Sequence, residues 1–327
     1  MDMKQDIAQV RRIHTALSLH YLDGLTQAQI AERTGMSHST VNRLIKLGHE
    51  MGMVEIAIRS PFQDHLALER ELAEISGLRE VVIEATASDN SEAILARVGA
   101  AAADLLISKL RPGQSICISG GRGVSACVAG LRNTPSVRGI TVVPATGLVQ
   151  GKHYTDVNHA AATMADAFGG EAVQMLSPMF AETDEQHQII TQMRTVSRVL
   201  DQARAADIAV VGIGGLRERS TSYFDLHRDV SAEEEELFAS GAVAELLAQV
   251  LDSEGTPTSY RRNRMVIAIS PEDLRRVPVT IAVAAGVEKT EAICAVVRGG
   301  YIDTLVTDER TAREVLRQLR LRREITE

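Results

Sequence analysis

Closely spaced polar side chains between residues 37 and 46 could recognise the edges of base pairs. The apolar residues among them, Val41, Leu44 and Ile45, have the spacing of one helix face, which leaves the polar side chains on the other. In the major groove of DNA, asparagine pairs with adenine and arginine with guanine. The candidate contacts are Ser37, His38, Ser39, Thr40, Asn42, Arg43 and Lys46. The pattern therefore predicts a helix that contacts bases and phosphates of double-stranded DNA.

A shorter helix precedes this one, and a tight turn joins the two. Thr26 and Gln29 have the spacing of a capping box, in which each side chain accepts the backbone N–H of the other residue. Gly35 stands where a positive φ would end the helix. Thr26 and Gln27, at the helix start, join the candidate DNA contacts. This arrangement is that of a helix-turn-helix motif, whose second helix enters the major groove.

Two further segments complete the predicted N-terminal domain. A helix from Ile7 to Leu22 would brace the motif, and the alternating residues Met53–Arg59 predict a strand that forms a wing. Paired amphipathic helices also occur in modules that bind proteins. We favour DNA because the segment Arg33–Lys46 contains three basic residues and no acid.

Four loops rich in glycine and small polar residues form the second candidate site. They cover residues 119–125, 145–148, 212–215 and 285–289, and each of them lies at the carboxyl end of a predicted strand. In parallel sheets such loops meet at one edge, and glycine lets their backbone N–H groups approach an anion or a hydroxyl. The candidate ligand-binding residues in these loops are Ser119, Gly120, Gly121, Arg122, Gly123, Thr146, Gly147, Gly214 and Lys289. The pattern predicts a small-molecule site.

Two cations and one acid restrict what this site could bind. Arg122 and Lys289 could hold a phosphate or hydrogen-bond a polyol. Glu245, on a helix predicted after Gly241, could accept hydrogen bonds from sugar hydroxyls or simply face water. The motifs of phosphate-binding loops, zinc proteases and serine hydrolases are missing, and Gly212-x-Gly214 lacks the third glycine of a dinucleotide site. We therefore expect no catalytic residue, no metal and no cofactor.

Alternating strands and helices must position these loops. The predicted strands are Glu80–Glu84, Ser115–Ser119, Gly139–Pro144, Glu171–Leu176, Asp207–Ile213, Val266–Ile269, Val279–Ala284 and Thr304–Val306. The predicted helices are Leu66–Ser76, Ile94–Leu110, Val124–Leu131, His159–Phe168, Asp184–Ala205, Thr290–Arg298 and one from Glu309. Such alternation is typical of a parallel α/β sheet covered on both faces. We predict a winged helix-turn-helix domain over residues 1–60 and a larger Rossmann-like α/β domain over residues 61–327.

Composition and charge restrict the class of protein. The chain has 327 residues, enough for two domains, and no apolar run long enough to span a bilayer. Cys117, Cys127 and Cys294 are far apart in apolar segments, so we expect free thiols and a cytoplasmic protein. The net charge of −8 comes from the larger domain, because residues 1–60 hold seven Lys or Arg and six Asp or Glu, which leaves −9 for the rest. The smaller domain is thus compatible with DNA binding.

Both predicted domains contain motifs of one known family. In the N-terminal domain these are Tyr21–Glu32 and Ser37–Ile45. In the larger domain they are Asp207–Gly214, Gly241–Leu247 with Asp252-x-x-Gly255, Val283–Ile293 with Gly299-Gly300, and Leu305–Ala312. Across essentially its whole length, the chain resembles the SorC family of bacterial sugar-responsive transcriptional regulators.

The resemblance implies a function and a site. It implies a non-catalytic effector domain with a fold similar to glucosamine-6-phosphate isomerase, in a homodimer or homotetramer that binds operator DNA near catabolic operons. Carried over by position, Ser119–Gly123, Glu245 and Lys289 would line a pocket for a sugar, a polyol or one of their phosphates. The chain departs from the family pattern at Cys117, where glycine is usual, at Gly123, where threonine is usual, and at Glu245, where aspartate is more common.

The leading hypothesis is therefore a cytoplasmic transcriptional regulator, with no membrane partner, that binds operator DNA under the control of a small effector. The main alternative is a sugar-phosphate isomerase or deaminase that carries an accessory N-terminal domain. That enzyme would need an acid–base pair in the pocket, and the sequence does not supply a convincing one.

Overall fold

The chain divides into two compact units, Met1–Pro61 and Phe62–Glu327. The computed structural model describes residues 3–54, 63–85, 89–132, 134, 136–149, 153–217, 223 and 231–326. The wing predicted over 53–59 lies mostly outside these ranges.

Over residues 3–54, the smaller unit contains the helices α1 (Met3–Tyr21), α2 (Gln27–Thr34) and α3 (His38–Glu50). Their buried side chains form one small core, consisting of Ile13, Ala16, Leu17, Ile30, Val41, Leu44 and Ile45. This core contains the apolar positions expected for α2 and α3. The helix-turn-helix prediction is confirmed.

Side-chain caps set the limits of α2 and α3. The Thr26 hydroxyl accepts the N–H of Gln29 at 3.3 Å, while Gln29 Oε1 accepts the N–H of Thr26 at 2.9 Å, so the capping box is formed. Gly35 ends α2 with a φ of 70°, and Ser37 caps α3 by accepting the N–H of Thr40 at 3.2 Å. Each cap of this kind contributes about 1 kcal/mol, which matters for a helix of eight residues such as α2.

The larger unit is built on a parallel sheet of seven strands in the order β1-β10-β9-β5-β2-β3-β4. These strands are β1 (Glu80–Glu84), β2 (Ser115–Ile118), β3 (Thr141–Pro144), β4 (Glu171–Ala172), β5 (Ile208–Gly212), β9 (Val279–Val283) and β10 (Thr304–Asp308). A second, antiparallel sheet contains β6 (Gly214–Gly215), β7 (Ala244–Leu246) and β8 (Gln249–Leu251).

Helices cover both faces of the parallel sheet. The helices of the larger unit, among its described residues, are α4 (Gln63–Ser76), α5 (Ser91–Lys109), α6 (Arg122–Gly130), α7 (Val157–Phe168), α8 (Asp184–Gln192), α9 (Arg194–Arg204), α10 (Ser231–Ala239), α11 (Pro271–Leu274), α12 (Thr290–Gly299) and α13 (Glu309–Thr326). Along β5, Ile208 and Val210 join a core with α5, α6 and α7, while Ala209 and Val211 join a core with α4, α9, α12 and α13. The alternation follows from the two-residue period of a strand, and the predicted doubly covered α/β fold is confirmed.

Besides the helix predicted around Glu245, where the structure has β7, three further predicted elements differ from the structure. The helix predicted over Asp184–Ala205 breaks at Met193, whose ψ of 125° is extended. The break lets α9 turn Val196 and Leu200 into the core, whereas α8 buries no residue. Val266–Ile269 makes only isolated bridges, since Val266 pairs with Phe180 and Ala268 with Thr146, and the strand predicted from Glu171 stops at Ala172.

The close contact between α5 and α6 depends on a glycine, Gly99. A Cβ placed on Gly99 would lie 2.4 Å from the backbone carbonyl carbon of Ala126. Alanine is the better helix former by about 1 kcal/mol, but overpacking against backbone costs about 1–3 kcal/mol.

We expect Gly99→Ala to lower the free energy of unfolding in a urea titration. Asp104→Glu, which adds one carbon on the exposed side of α5, is the control and should have no effect; an equally stable Gly99→Ala protein would contradict the expectation.

Candidate nucleic-acid interface and effector site

The outer face of α3 presents the polar side chains that the sequence indicated. Ser37, His38, Ser39, Asn42, Arg43 and Lys46 are exposed, and Thr40 is half-buried. Val41, Leu44 and Ile45 are buried on the opposite face. Thr26 is exposed and Gln27 half-buried at the start of α2. The structure thus leaves all nine candidate DNA contacts at least partly accessible, and their role in DNA binding stays a prediction.

Two contacts in the smaller unit were not anticipated. Tyr21 at the end of α1 hydrogen-bonds through its hydroxyl to Nε2 of His49 near the end of α3, at 2.6 Å. Lys46 lies 3.9 Å from the carboxylate of Glu50 one turn later. The first contact ties α1 to α3, and the second is an exposed ion pair that leaves Lys46 largely available.

In the larger unit, loops from several strands enclose one cavity of about 150 Å³ at the carboxyl edge of the parallel sheet. The lining residues are Ser91, Leu95, Gly120, Gly121, Arg122, Gly123, Gly212, Ile213, Gly214, Glu245, Ala285, Glu288 and Lys289. Residues 120–123 follow β2, residues 212–214 follow β5, and residues 285–289 follow β9. The cavity therefore occupies the position where ligands bind in sheets of this kind.

At two glycines that line the cavity the backbone approaches other groups closely, and at Gly123 the neighbouring group is backbone that cannot easily move. A Cβ on Gly123 would lie 2.4 Å from the carbonyl oxygen of Val283. A Cβ on Gly214 would lie 2.6 Å from Oε2 of Glu245. The threonine that the family usually carries at position 123 would not fit this backbone without a shift.

Arg122 and Lys289 bring positive charge to the cavity. Arg122 is the first residue of α6, whose N-terminal N–H groups also favour an anion. Burial lowers the pKa of Lys289, and Arg122 lowers it further, while Glu288 and Glu245 raise it. Within the described ranges of the chain, neither cation has an ion-pair partner. Both are thus available to a ligand.

Glu245 is the acid of the cavity, and it lies on a strand, so its predicted position on a helix was wrong. Residues 244–246 form β7 because they pair with Gly214–Gly215 on one side and with β8 on the other. Burial raises the pKa of Glu245 to about 7, although the N–H of Ala248 and the charge of Lys289 both lower it. This carboxyl group therefore exchanges its proton near neutral pH.

The turn between β7 and β8 has an unusual composition. Leu247 and Ala248 have φ values of 57° and 63°, which a two-residue hairpin requires and which asparagine and glycine normally supply. Left-handed backbone costs a residue with a side chain about 1–2 kcal/mol. The carboxylate of Glu245 accepts the N–H of Ala248 at 2.6 Å, and this bond stabilises the turn.

A second, smaller cavity of about 30 Å³ adjoins the first through Gly120, Gly121 and Glu245. It is also lined by Ser119, Thr146, Thr155, Met179, Leu247 and Ala248. Ser119 Oγ accepts the N–H of Gly212 at 3.2 Å and donates to the carbonyl oxygen of Gly120 at 3.0 Å. Thr146 is 1% exposed, and among the described residues its hydroxyl has no partner. This volume is enough for one water molecule or one ligand hydroxyl.

The two cavities contain nearly all of the predicted effector-binding residues. Gly120, Gly121, Arg122, Gly123, Gly214, Glu245 and Lys289 line the larger cavity, and Ser119 and Thr146 line the smaller one. Gly147 lines neither. Its N–H binds the carbonyl oxygen of Ile267 at 2.7 Å, and a Cβ there would lie 2.3 Å from the carbonyl oxygen of Pro178. Gly147 is needed for this close packing, and the binding roles of the other residues stay predictions.

Sequence reasoning missed the residues that hold the loop 285–289. Asp308 Oδ2 accepts the N–H of Gly286 at 2.8 Å, and the hydroxyl of Thr311 accepts the same N–H at 3.1 Å. Asp308 also caps α13 by accepting the N–H of Thr311 at 3.0 Å. An Asp three residues before a Thr at a helix start was visible as a cap in the sequence, but its second contact was not.

The described metal-ligating side chains and the cysteines bear on the prediction of free thiols and no metal site. In the described part of the chain, no group of three or more His, Cys, Asp or Glu side chains could hold a metal ion. Cys117, Cys127 and Cys294 are free and buried, and burial raises the pKa of the first two to about 12 and of the third to about 11. Among the helices described, none is both long and apolar enough to cross a bilayer.

Two family models match the chain. The model described as "Putative sugar-binding domain" matches residues 60–317, and the model of sigma-70 region 4 matches residues 14–48. The second match spans α2 and most of α3, and the first spans the parallel sheet and both cavities.

Similar proteins of known name are transcriptional regulators. The chain is 31% identical over 300 residues to the transcriptional regulator LsrR of Enterobacter sp. (strain 638), covering 91% of this chain and 90% of that protein. It is 29% identical over 317 residues to LsrR of Escherichia coli (strain K12), covering 96% and 97% of the two chains.

Solved structures with a similar fold are also those of transcriptional regulators. The full-length sorbitol operon regulator SorC from Klebsiella pneumoniae superposes with a TM-score of 0.72 at 28% identity, covering 94% of this chain and 99% of that chain. A transcriptional regulator from Streptococcus pneumoniae TIGR4 also has a TM-score of 0.72 and 28% identity, covering 78% and 97%. The chain belongs to the SorC family of sugar-responsive, DNA-binding transcriptional regulators.

Proposed function

We propose that the exposed face of α3 binds operator DNA and that the cavity at the sheet edge binds the effector that regulates this binding. The effector class is a sugar, a polyol or one of their phosphates. The observation that carries the proposal is that loops distant in sequence converge on one cavity containing Arg122, Glu245 and Lys289. A cavity of about 150 Å³ has room for a small polar molecule.

The chemistry of the cavity fits a molecule with several hydroxyl groups. Lys289 and Arg122 donate hydrogen bonds, and the Glu245 carboxyl group can accept one or, when protonated, donate one. The hydroxyls of Ser119 and Thr146 extend the polar surface into the smaller cavity. The same two cations and the start of α6 would also accommodate a phosphate.

The DNA partner is proposed from the side chains on α3. Asn42 and Arg43 are exposed, and their types suit adenine and guanine edges, while Ser39, Thr40 and Lys46 suit phosphates or bases. We infer that two copies of the chain place their α3 helices in half-sites about one helical turn or a multiple of it apart, as a homodimer or within a homotetramer.

We also infer that the protein acts in the cytoplasm, near a carbohydrate or polyol catabolic operon, and that the larger unit senses its effector without converting it. The support is that its relatives are named as transcriptional regulators. The division of labour would follow the two units, with DNA binding in the first and effector binding in the second. Turnover of an aldose phosphate or amino-sugar phosphate by the purified chain would contradict the inference.

The first prediction concerns the effector. In a thermal-shift panel of glycerol, erythritol, sorbitol, ribose, fructose and glucose with their phosphates, at least one compound should raise the melting temperature with concentration. Lys289→Met should weaken binding of that compound about 10- to 100-fold, because the substitution removes a hydrogen bond from a charged donor. Lys46→Met is the matched control in the other unit and should leave the shift unchanged. A panel without any shift, or an unaffected Lys289→Met variant, would contradict the effector site.

The second prediction concerns DNA. Arg43→Ala should weaken binding to a duplex selected from a random pool by about 1–3 kcal/mol, measured by gel-shift titration at fixed salt. Effector-induced thermal shifts should not change, because the substitution lies in the smaller unit. Arg138→Ala removes an exposed arginine of the larger unit and should bind the duplex normally. Equal affinity of the Arg43→Ala and parent proteins for the duplex would show that Arg43 does not contribute to DNA binding.

The third prediction concerns pH. The pKa of Glu245 is about 7 in the folded chain against 4.5 ordinarily, so the folded chain retains a proton that the unfolded chain loses between these values. Its contribution to stability is therefore present below about pH 4.5 and is lost as the pH rises towards 7. Glu245→Gln cannot ionise, so its melting temperature relative to the parent should be higher at pH 8 than at pH 5. A difference that does not depend on pH would show that Glu245 does not titrate in this window.

A further inference from the structure

The effector loop 285–289 is hydrogen-bonded to the start of the last helix. Asp308 is 2% exposed and Thr311 is fully buried, and together they accept the N–H of Gly286. The Thr311 hydroxyl in turn donates to Asp308 Oδ2 at 2.6 Å, and the Thr311 N–H to Asp308 Oδ1. Both carboxylate oxygens of Asp308 are therefore engaged, and the side chains of Asp308 and Thr311 together hold the loop that carries Lys289.

The next residue along the chain makes a contact in another direction. Glu309 Oε2 accepts a hydrogen bond from Nε2 of His65 at 3.1 Å, and its other oxygen binds the guanidinium of Arg313. His65 belongs to the first turn of α4. Two consecutive residues at the start of α13 thus hold the effector loop on one side and the start of α4 on the other.

α4 is also packed along α13. Leu68 and Leu72 of α4 are buried in the same core as Ala312 and Val315 of α13. Arg320 near the end of α13 forms an ion pair with Glu71 of α4. Since protein cores are close-packed, a displacement of the start of α13 moves α4 with it instead of being absorbed by free volume.

We propose that Asp308 and Glu309 are positioning residues that couple the effector loop to α4. A ligand that draws Lys289 towards itself shifts Gly286, three residues earlier, and so changes the hydrogen bonds that place the start of α13. Through Glu309 and His65 this change reaches α4, the first described helix after the DNA-binding unit in the sequence. This inference rests on the proposed function of the cavity, and the contacts named here would transmit to α4 whether the cavity holds a ligand.

The test is hydrogen–deuterium exchange of the full chain, followed in peptides covering residues 285–289 and the first half of α4. Asp308→Asn replaces one carboxylate oxygen by an N–H donor, so either the Gly286 or the Thr311 bond is lost. We expect exchange to become about tenfold faster in the loop and several-fold faster in α4. Thr311→Val removes one acceptor with little change in shape and should act in the same direction, which keeps the test available if Asp308→Asn does not fold.

A variant without the contact between Glu309 and His65 distinguishes coupling from general destabilisation. Glu309→Ala should speed exchange in α4, and Asp308→Asn added to it should speed exchange in the loop while changing α4 less than Asp308→Asn does alone, because only the packing contacts between α13 and α4 remain. Glu314→Ala, which removes an exposed ion pair with Arg317 on the same helix, is the control and should alter neither peptide. Unchanged exchange in α4 when the loop is released, or an equal acceleration in peptides of β5, would overturn the proposal. Because neither DNA nor a sugar is present, this result is independent of whether the proposed function holds.

Discussion

The site depends on one constraint, that all seven strands of the large sheet run in the same direction. Every strand then ends at one edge, and the turns after β2, β5 and β9 meet there although they are far apart in sequence. The N–H groups at the start of α6 have no partners within the helix, so this edge favours a polar or anionic ligand. Without the common direction, Arg122 and Lys289 would lie at opposite ends of the sheet.

Enclosing charged groups has a free-energy cost, and the cavity shows how this cost is distributed. Burial disfavours the charged forms of both Glu245 and Lys289, and their mutual attraction only partly compensates. A further cost comes from the left-handed residues Leu247 and Ala248, which the Glu245 carboxylate stabilises through the N–H of Ala248. Strain and desolvation of this kind are commonly found at binding sites, where a ligand can relieve them.

The smaller unit reaches its structure by different means. Its core has only a few buried side chains, and its helices are short, so side-chain caps add to the stabilisation that burial provides. The capping box of Thr26 and Gln29 defines where α2 begins, and the cap of Ser37 defines where α3 begins. That placement leaves the polar outer face of α3 accessible and free of any core function.

The local structure and the candidate ligand-binding side chains could be predicted from the amino-acid sequence. Capping residues set α2 and α3, apolar strands set the doubly covered sheet, and glycine-rich loops with Arg122 and Lys289 indicated the ligand site. These signals are local, because a cap, a helix face or a buried strand is encoded by residues within a few positions of one another.

Features that depend on partners distant in the chain could not be predicted in this way and follow from the three-dimensional fold. Glu245 lies on a strand because Gly214 and Val250 pair with it, and Gly147 is excluded from the site because Pro178 packs against it. The long helix predicted from Asp184 divides at Met193 because α9 must turn its apolar face to the core. Asp308 binds Gly286, 22 residues away, and no local pattern could reveal that contact, since hydrogen bonds between loops are set by how the strands are ordered in the sheet.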